Sequence, residues 1–438
     1  MDQTEALIIE TIDRHREEIL EFARDIYSHA ELGYKEFQTS GKFVKKMEQL
    51  GLRTEKGFAI TGVKAYLNED KKENASLALL GELDALRIPE HAFANPETNA
   101  AHCCGHHAQM AGVFGAALAL TVPEIAEKLD GQVVFFATPA EEYGEIEFKN
   151  QLREQGKIRY GGGKCELLRI GAFDDIDLCL THNIRPGNEI LVGSGTGNGF
   201  VSKVIRVLGK ASHAAGAPEK GVNALSAASL GLQALGLNRE TFRDEDCVRV
   251  HPIITKGGNL VNVIPDEVVV ETLVRGKTIE AFTDAAKKTD RSFKAGAIAM
   301  GAKVEISTLP GYLPTLAEEA LPELKHAAEI SASGIPVIEA SGHAGGSTDV
   351  GDVQHLMPVY TFNTGGVKGG LHQIDFEVTD EEEAYIVTAK MFALAAYGLL
   401  KEKAQRSREL VDQYEPVFKN SAEYVEFMEQ FDSKEIFE

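Results

Sequence analysis

Three short apolar runs, at residues 76–80, 132–137 and 178–181, each give way at once to acids or a histidine, and a fourth at 359–362 precedes His372 in GGLHQIDF. A continuous apolar run of this length reads as a buried strand, and the small-residue run at 108–120 between the first two has the length of a helix. Strand, helix, strand in that order implies an α/β domain with a largely parallel sheet, whose sites lie at the carboxyl ends of the strands. Residues 82–84, 141–142 and 182 occupy those positions.

At 438 residues the chain exceeds the roughly 250–300 at which a single core stops growing, so two domains are expected. The pattern changes at Gly195. Strand 200–208, helix 221–237, strands 247–255 and 267–274, helix 278–300 and strand 303–308 follow in turn. That βαββαβ order is the split βαβ, ferredoxin-like arrangement, a complete α+β domain by itself. Elements of the first kind resume after Pro314, including 337–339, so the second domain reads as an insertion into the first. The expected division is 1–194 and 311–405 for the first domain, 195–310 for the insert, and 406–438 for a charged helical tail. Helical periodicity also covers 4–29 and 37–51, where Gly51 closes the second helix.

Lys plus Arg number 45 and Asp plus Glu 67, a net charge of −22 that repels phosphate backbones and anionic lipid. No nucleic-acid partner is expected. No stretch approaches the roughly 18 uninterrupted apolar residues of a membrane span, and the acidic opening MDQTEALIIE is unlike a signal peptide, so a cytoplasmic protein without a membrane partner is expected. Five cysteines without paired CxxC spacing speak against a disulfide framework or a zinc ribbon.

The densest chemical constellation is AHCCGHHAQ at 101–109, where Cys104 and His106 flank a glycine just before a helix. Thiolate and imidazole are favoured ligands of zinc-like ions, and the glycine permits the tight backbone that lets the two side chains converge. TPAEEYG at 138–144 ends a buried strand with Glu141 and Glu142, and two adjacent buried carboxylates are costly unless a cation or a proton separates their roles. His182 and His372 add two more nitrogen ligands at the same edge of the sheet.

With these residues in view, the chain resembles the M20 family of metallopeptidases and amidohydrolases, in the branch with a cysteine at the metal site. The matching motifs run nearly end to end: HAELGYKEF (29–37), GELDAL (81–86), CGH (104–106), TPAEE (138–142), GKASHAA (209–215), GVNAL (221–225), NVIPDE (262–267) and GSTDVGDV (346–353). TPAEEYG, GGGK (161–164), GAFDD (171–175) and STDVGDV look most like the p-aminobenzoyl-glutamate hydrolase and dipeptidase subgroup. The resemblance implies a zinc-peptidase-like catalytic domain carrying an inserted ferredoxin-like lid and dimerisation domain.

It also implies roles. Cys104, His106, Glu142, His182 and His372 match ligands of a two-metal centre, filled by zinc or alternatively manganese or cobalt. Glu141 matches the general base, and Asp84 the carboxylate that orients a ligand histidine. His213 matches a histidine that reaches across a homodimer to the tetrahedral oxyanion, and Asn262 and Arg275 match positions that hold a substrate carboxylate. The implied reaction is hydrolysis of an amide in an N-acyl or aroyl amino acid or a dipeptide. Two rivals stand beside it: a thiol hydrolase using Cys104, and a non-catalytic binding protein on the same fold. Three departures mark this chain: His107 where most of the branch has aspartate, Cys103 where alanine is common, and about 16 extra residues near 145–160.

Overall fold

The computed structural model describes residues 1–332 and 334–438. They form two compact units. The first comprises 1–195, 316–342 and 352–422. Its eight-stranded sheet runs in the order Arg53–Phe58, Gly62–Leu67, Gln132–Thr138, Ser76–Glu82, Leu178–Ile184, Val359–Thr364, Ile190–Val192, Val337–Glu339. The four central strands are mutually parallel, as the apolar runs predict, and antiparallel pairing is confined to the flanks. Strands Ser76–Glu82 and Gln132–Thr138 are buried throughout, which is why they read as unbroken apolar runs rather than alternating ones.

Helix His106–Leu120 lies against this sheet and is buried along its whole length. Its Ala- and Gly-rich sequence is the composition of a helix packed on every side. Among the described residues one helix, Glu382–Gln413, has the length and composition of a membrane crossing, yet 89% of its most apolar window is buried inside the protein. Its apolar character serves the core: Ala389, Met391, Phe392, Ala393, Leu399 and Leu400 are fully buried.

The second unit comprises 196–315, 343–351 and 423–438. Its sheet is antiparallel, with Glu267–Gly276 and Lys303–Pro310 on either side of Gly199–Leu208, and Arg249–Val250 and Ile253–Lys256 beyond Glu267–Gly276. Helices Ala224–Asn238 and Ile279–Met300 pack on it, giving the ferredoxin-like order expected. The expected boundaries need two corrections. The segment 343–351, placed by its pattern in the first domain, belongs to this unit, and so does the chain end. Residues 406–438 are not a purely helical tail. After helix Ser421–Glu429, strand Ser433–Phe437 adds antiparallel to Lys303–Pro310. Four of its five residues are exposed, so the strand is held by backbone pairing and leaves no apolar run to read.

Candidate metal centre

Asp84 organises the site. It follows strand Ser76–Glu82, is fully buried, and its two carboxylate oxygens accept the backbone N–H groups of Glu141 (3.1 Å) and Glu142 (2.9 Å). The same residue holds His106: Nδ1 lies 2.8 Å from the Asp84 carbonyl and 3.3 Å from Oδ1. Nε2 of His106 is thereby turned away from Asp84 and toward the acids beyond. Burial opposes ionisation of Asp84, but the His106 contact and the Glu142 amide hold its carboxyl below the usual value.

The turn that presents the thiol depends on Gly105, whose φ of 89° suits glycine and whose Cβ position would lie 2.1 Å from Ile184. A second support comes from HAELGYKEF. Glu36, fully buried, accepts the Ala140 N–H at 2.8 Å and the Thr61 hydroxyl at 2.7 Å, pinning the loop ahead of the two glutamates. Burial and the charge of Asp84 push Glu36 up to about 8.

Ligand-type atoms converge in two groups, each with its atoms within 4.8 Å of one another: Cys104, Glu142 and His372, and Glu82, His106 and Glu141. In the first, His372 Nε2 lies 3.3 Å from Cys104 Sγ and 3.2 Å from Glu142 Oε1. In the second, His106 Nε2 lies 3.1 Å from Glu82 Oε2 and 3.9 Å from Glu141 Oε2. The buried Nε2 of His106 and Oε1 of Glu142 make no hydrogen bond of normal geometry. Soft and hard donors so clustered, with unengaged atoms aimed inward, fit divalent ions bound at about 2.0–2.3 Å. Burial and the Glu142 carboxylate push the Cys104 thiol above its usual value, and Cys103 up to about 12.

Of the residues marked in the sequence, Cys104, His106, Glu141, Glu142, His372 and Asp84 are brought together. His182 is not. It lies within strand Leu178–Ile184 rather than after it, its Nε2 2.8 Å from the Thr364 hydroxyl and its ring against Phe362 and Phe392. Burial and the proximity of His107 lower its pKa to about 3, leaving a neutral core imidazole. Glu82, absent from the expected ligand set, takes a place in the second group, with Gln109 and Lys164 bonded to it. GELDAL and GGGK carried Glu82 and Lys164 without disclosing that they meet.

His213, Asn262 and Arg275 belong to the second unit. His213 and Asn262 are close, since His213 bridges to Val263 and the Ala214 N–H donates to the Asn262 carbonyl at 2.9 Å. Arg275 lies near the far end of strand Glu267–Gly276, with its guanidinium 2.7 Å from the Ser347 hydroxyl.

The extra residues near 145–160 form helix Ile146–Glu154, and Lys149 from it donates to the Glu142 carbonyl at 2.7 Å. The profile of peptidase family M20/M25/M40 matches residues 78–397, a span that includes every member of both ligand groups. The chain belongs to that family. Like the family, this M20 chain is a metal-dependent hydrolase of the peptidase and amidohydrolase type. It is 27% identical over 408 residues to the Xaa-Arg dipeptidase of Mus musculus, covering 90% of this chain and 85% of that one. Among solved structures, a dinuclear metal-binding M20 peptidase from Bacillus subtilis matches with a TM-score of 0.62 at 23% identity, covering 89% of this chain and 99% of its own. The aminobenzoyl-glutamate utilization protein of Klebsiella pneumoniae matches with a TM-score of 0.64 at 19% identity, covering 90% and 98%.

Proposed function

We propose that this M20 chain hydrolyses the amide bond of an N-acyl or aroyl amino acid, or of a dipeptide, that carries a free carboxylate. The observation that carries this reading is the pair of ligand groups joined through Asp84, which grips the amides of Glu141 and Glu142 and orients His106. Cys104, Glu142 and His372 would hold one divalent ion, and His106 with the acids beside it a second. Two such ions, zinc by preference, supply carbonyl polarisation and a lowered pKa for the attacking water. Glu141 takes the water proton and returns it to the leaving amine, a transfer within the reach of a carboxylate beside His106. The relative's dipeptidase name and the neighbour's aminobenzoyl-glutamate name both fit an amide formed on an amino acid.

Arg275 is suited to clamp the substrate carboxylate, since a guanidinium binds one in a bidentate fork. Glu267 and Arg275 lie roughly 27 Å apart along their strand at about 3.4 Å per residue, and His213 and Asn262 are joined to each other outside the Glu267 end of it. No small amide spans that distance, which favours a homodimer in which His213 and Asn262 serve the partner's site. Exposed Ile253, Ile254, Leu260 and Val261, on the edge strand and the loop beside Asn262, offer an apolar surface for such pairing. Five cysteines without a CxxC framework suit a reducing, cytoplasmic setting. The thiol-hydrolase reading is disfavoured, because burial of the sulfur and the Glu142 carboxylate raise the Cys104 thiol above its usual value and so disfavour the nucleophilic thiolate.

The deciding experiment is metal analysis of purified protein coupled to hydrolysis of p-aminobenzoyl-glutamate, N-acyl amino acids and dipeptides. Chelator-sensitive turnover restored by divalent metal is expected. Full turnover by metal-free protein, abolished by alkylating Cys104, would replace this reading with the thiol mechanism.

A further inference from the structure

Lys164 is fully buried, with its Nζ 2.5 Å from Glu82 Oε1 across 82 residues of chain. It is placed by close packing: the Gly163 N–H donates to the Ala140 carbonyl, and a Cβ at Gly163 would fall 1.6 Å from the Pro139 oxygen. The helix start is therefore pressed under the TPAEE loop, and the next side chain points at the second ligand group. Glu82 is thoroughly engaged. Its Oε1 takes Lys164, while its Oε2 accepts Gln109 Nε2 at 2.8 Å and faces His106 Nε2 at 3.1 Å. In the first group the Glu142 carboxylate faces His372, and the nearby Lys149 ammonium is directed to the Glu142 main-chain carbonyl at 2.7 Å rather than to a ligand atom.

We propose that Lys164 makes the two metal positions unequal: by tying Glu82 to an ammonium it weakens the His106 position for a divalent ion, so that the Cys104 position fills first. This rests on the two-metal reading above. A cation at the second position must share an oxygen already committed to Gln109 and face the ammonium at close range, where little water screens like charges. Lys164 is thus a positioning residue, acting through Glu82 on metal occupancy. Replacing the partner of a ligand typically costs about 10–100-fold in metal affinity; here the partner is itself a cation facing the ion, so a change on that scale is expected with the opposite sign.

The test titrates metal-free protein with Co(II), following heat and the thiolate-to-cobalt charge-transfer absorption that reports Cys104. In wild type the absorption should saturate with the first equivalent, and a second equivalent should bind at least about 10-fold more weakly. Lys164→Met should leave the first step unchanged and tighten the second by about 10–100-fold. If Lys164→Met fails to fold, Glu82→Gln, which keeps the ammonium, is compared with Lys164→Met/Glu82→Gln, which removes both charges. The single variant should bind the second equivalent about 10-fold more weakly than the double. Equal second-step affinities in either comparison overturn the role of Lys164. Absence of the charge-transfer absorption in wild type overturns the metal reading instead, and this proposal with it.

Discussion

Glu141 and Glu142 are neighbours in sequence that face different partners, Glu141 toward His106 and Glu142 toward Cys104 and His372. Their amides share one carboxylate, Asp84, which fixes the backbone while leaving the two side chains to diverge. If the roles differ as proposed, Glu141→Gln keeps shape and metal but cannot accept a proton, and kcat should fall by about 10²–10⁴-fold. Glu142→Gln should lose metal. Metal content by elemental analysis alongside turnover separates the two, and metal loss from Glu141→Gln or full activity in it would reverse the assignment. Asp84→Asn turns one acceptor into a donor facing an amide or His106, leaving a buried group unsatisfied at about 1–3 kcal/mol. A lower thermal midpoint together with weakened metal binding is expected from it.

The elements carrying these residues were legible where burial on both faces produced unbroken apolar runs, as in Ser76–Glu82 and Gln132–Thr138, and less so where a strand outlasts its run. Leu178–Ile184 continues through Thr181, His182 and Asn183, so a histidine expected on the loop beyond lies within the pleat, its side chain directed into the core. Glu82, Gln109 and Lys164 meet only in the fold, because a buried ion pair is set by distant packing and leaves no local pattern. Glu36 belongs with them: a charge in HAELGYKEF gave no sign that it pins the loop at Ala140. With its carboxyl at about 8 against an ordinary 4.5, the folded protein holds a proton there that the unfolded chain has released. Its contribution to stability is therefore full below about pH 4.5 and is lost as pH rises through about 8. Glu36→Gln should flatten that slope, since the amide oxygen still accepts the Ala140 N–H without a charge to bury. Thermal midpoints of both proteins at pH 6 and pH 9 provide the check, and parallel pH trends would remove Glu36 from this account.

Over the whole molecule, the separation of His213 and Asn262 from Arg275 along one sheet makes the strongest demand on assembly. If His213, Asn262 and Arg275 serve one substrate as proposed, the two ends come from different chains, and activity should require the homodimer. An oxyanion donor is typically worth about 10²–10³ in turnover, and His213→Ala should lower kcat by that order while retaining metal. Mixing His213→Ala with Glu141→Gln tests the crossing directly. In a mixed dimer, one site has its own intact Glu141 and the partner subunit's intact His213 only if the histidine acts in trans, because both defects then fall in the other site. With free exchange, about half the dimers are mixed and each restores one of two sites, giving about a quarter of wild-type activity. If His213 acts within its own chain, each site of the mixed dimer keeps one defect and activity stays at the level of the unmixed variants even after exchange is demonstrated. That outcome would confine His213 to its own subunit and leave Arg275 without a role at the same substrate.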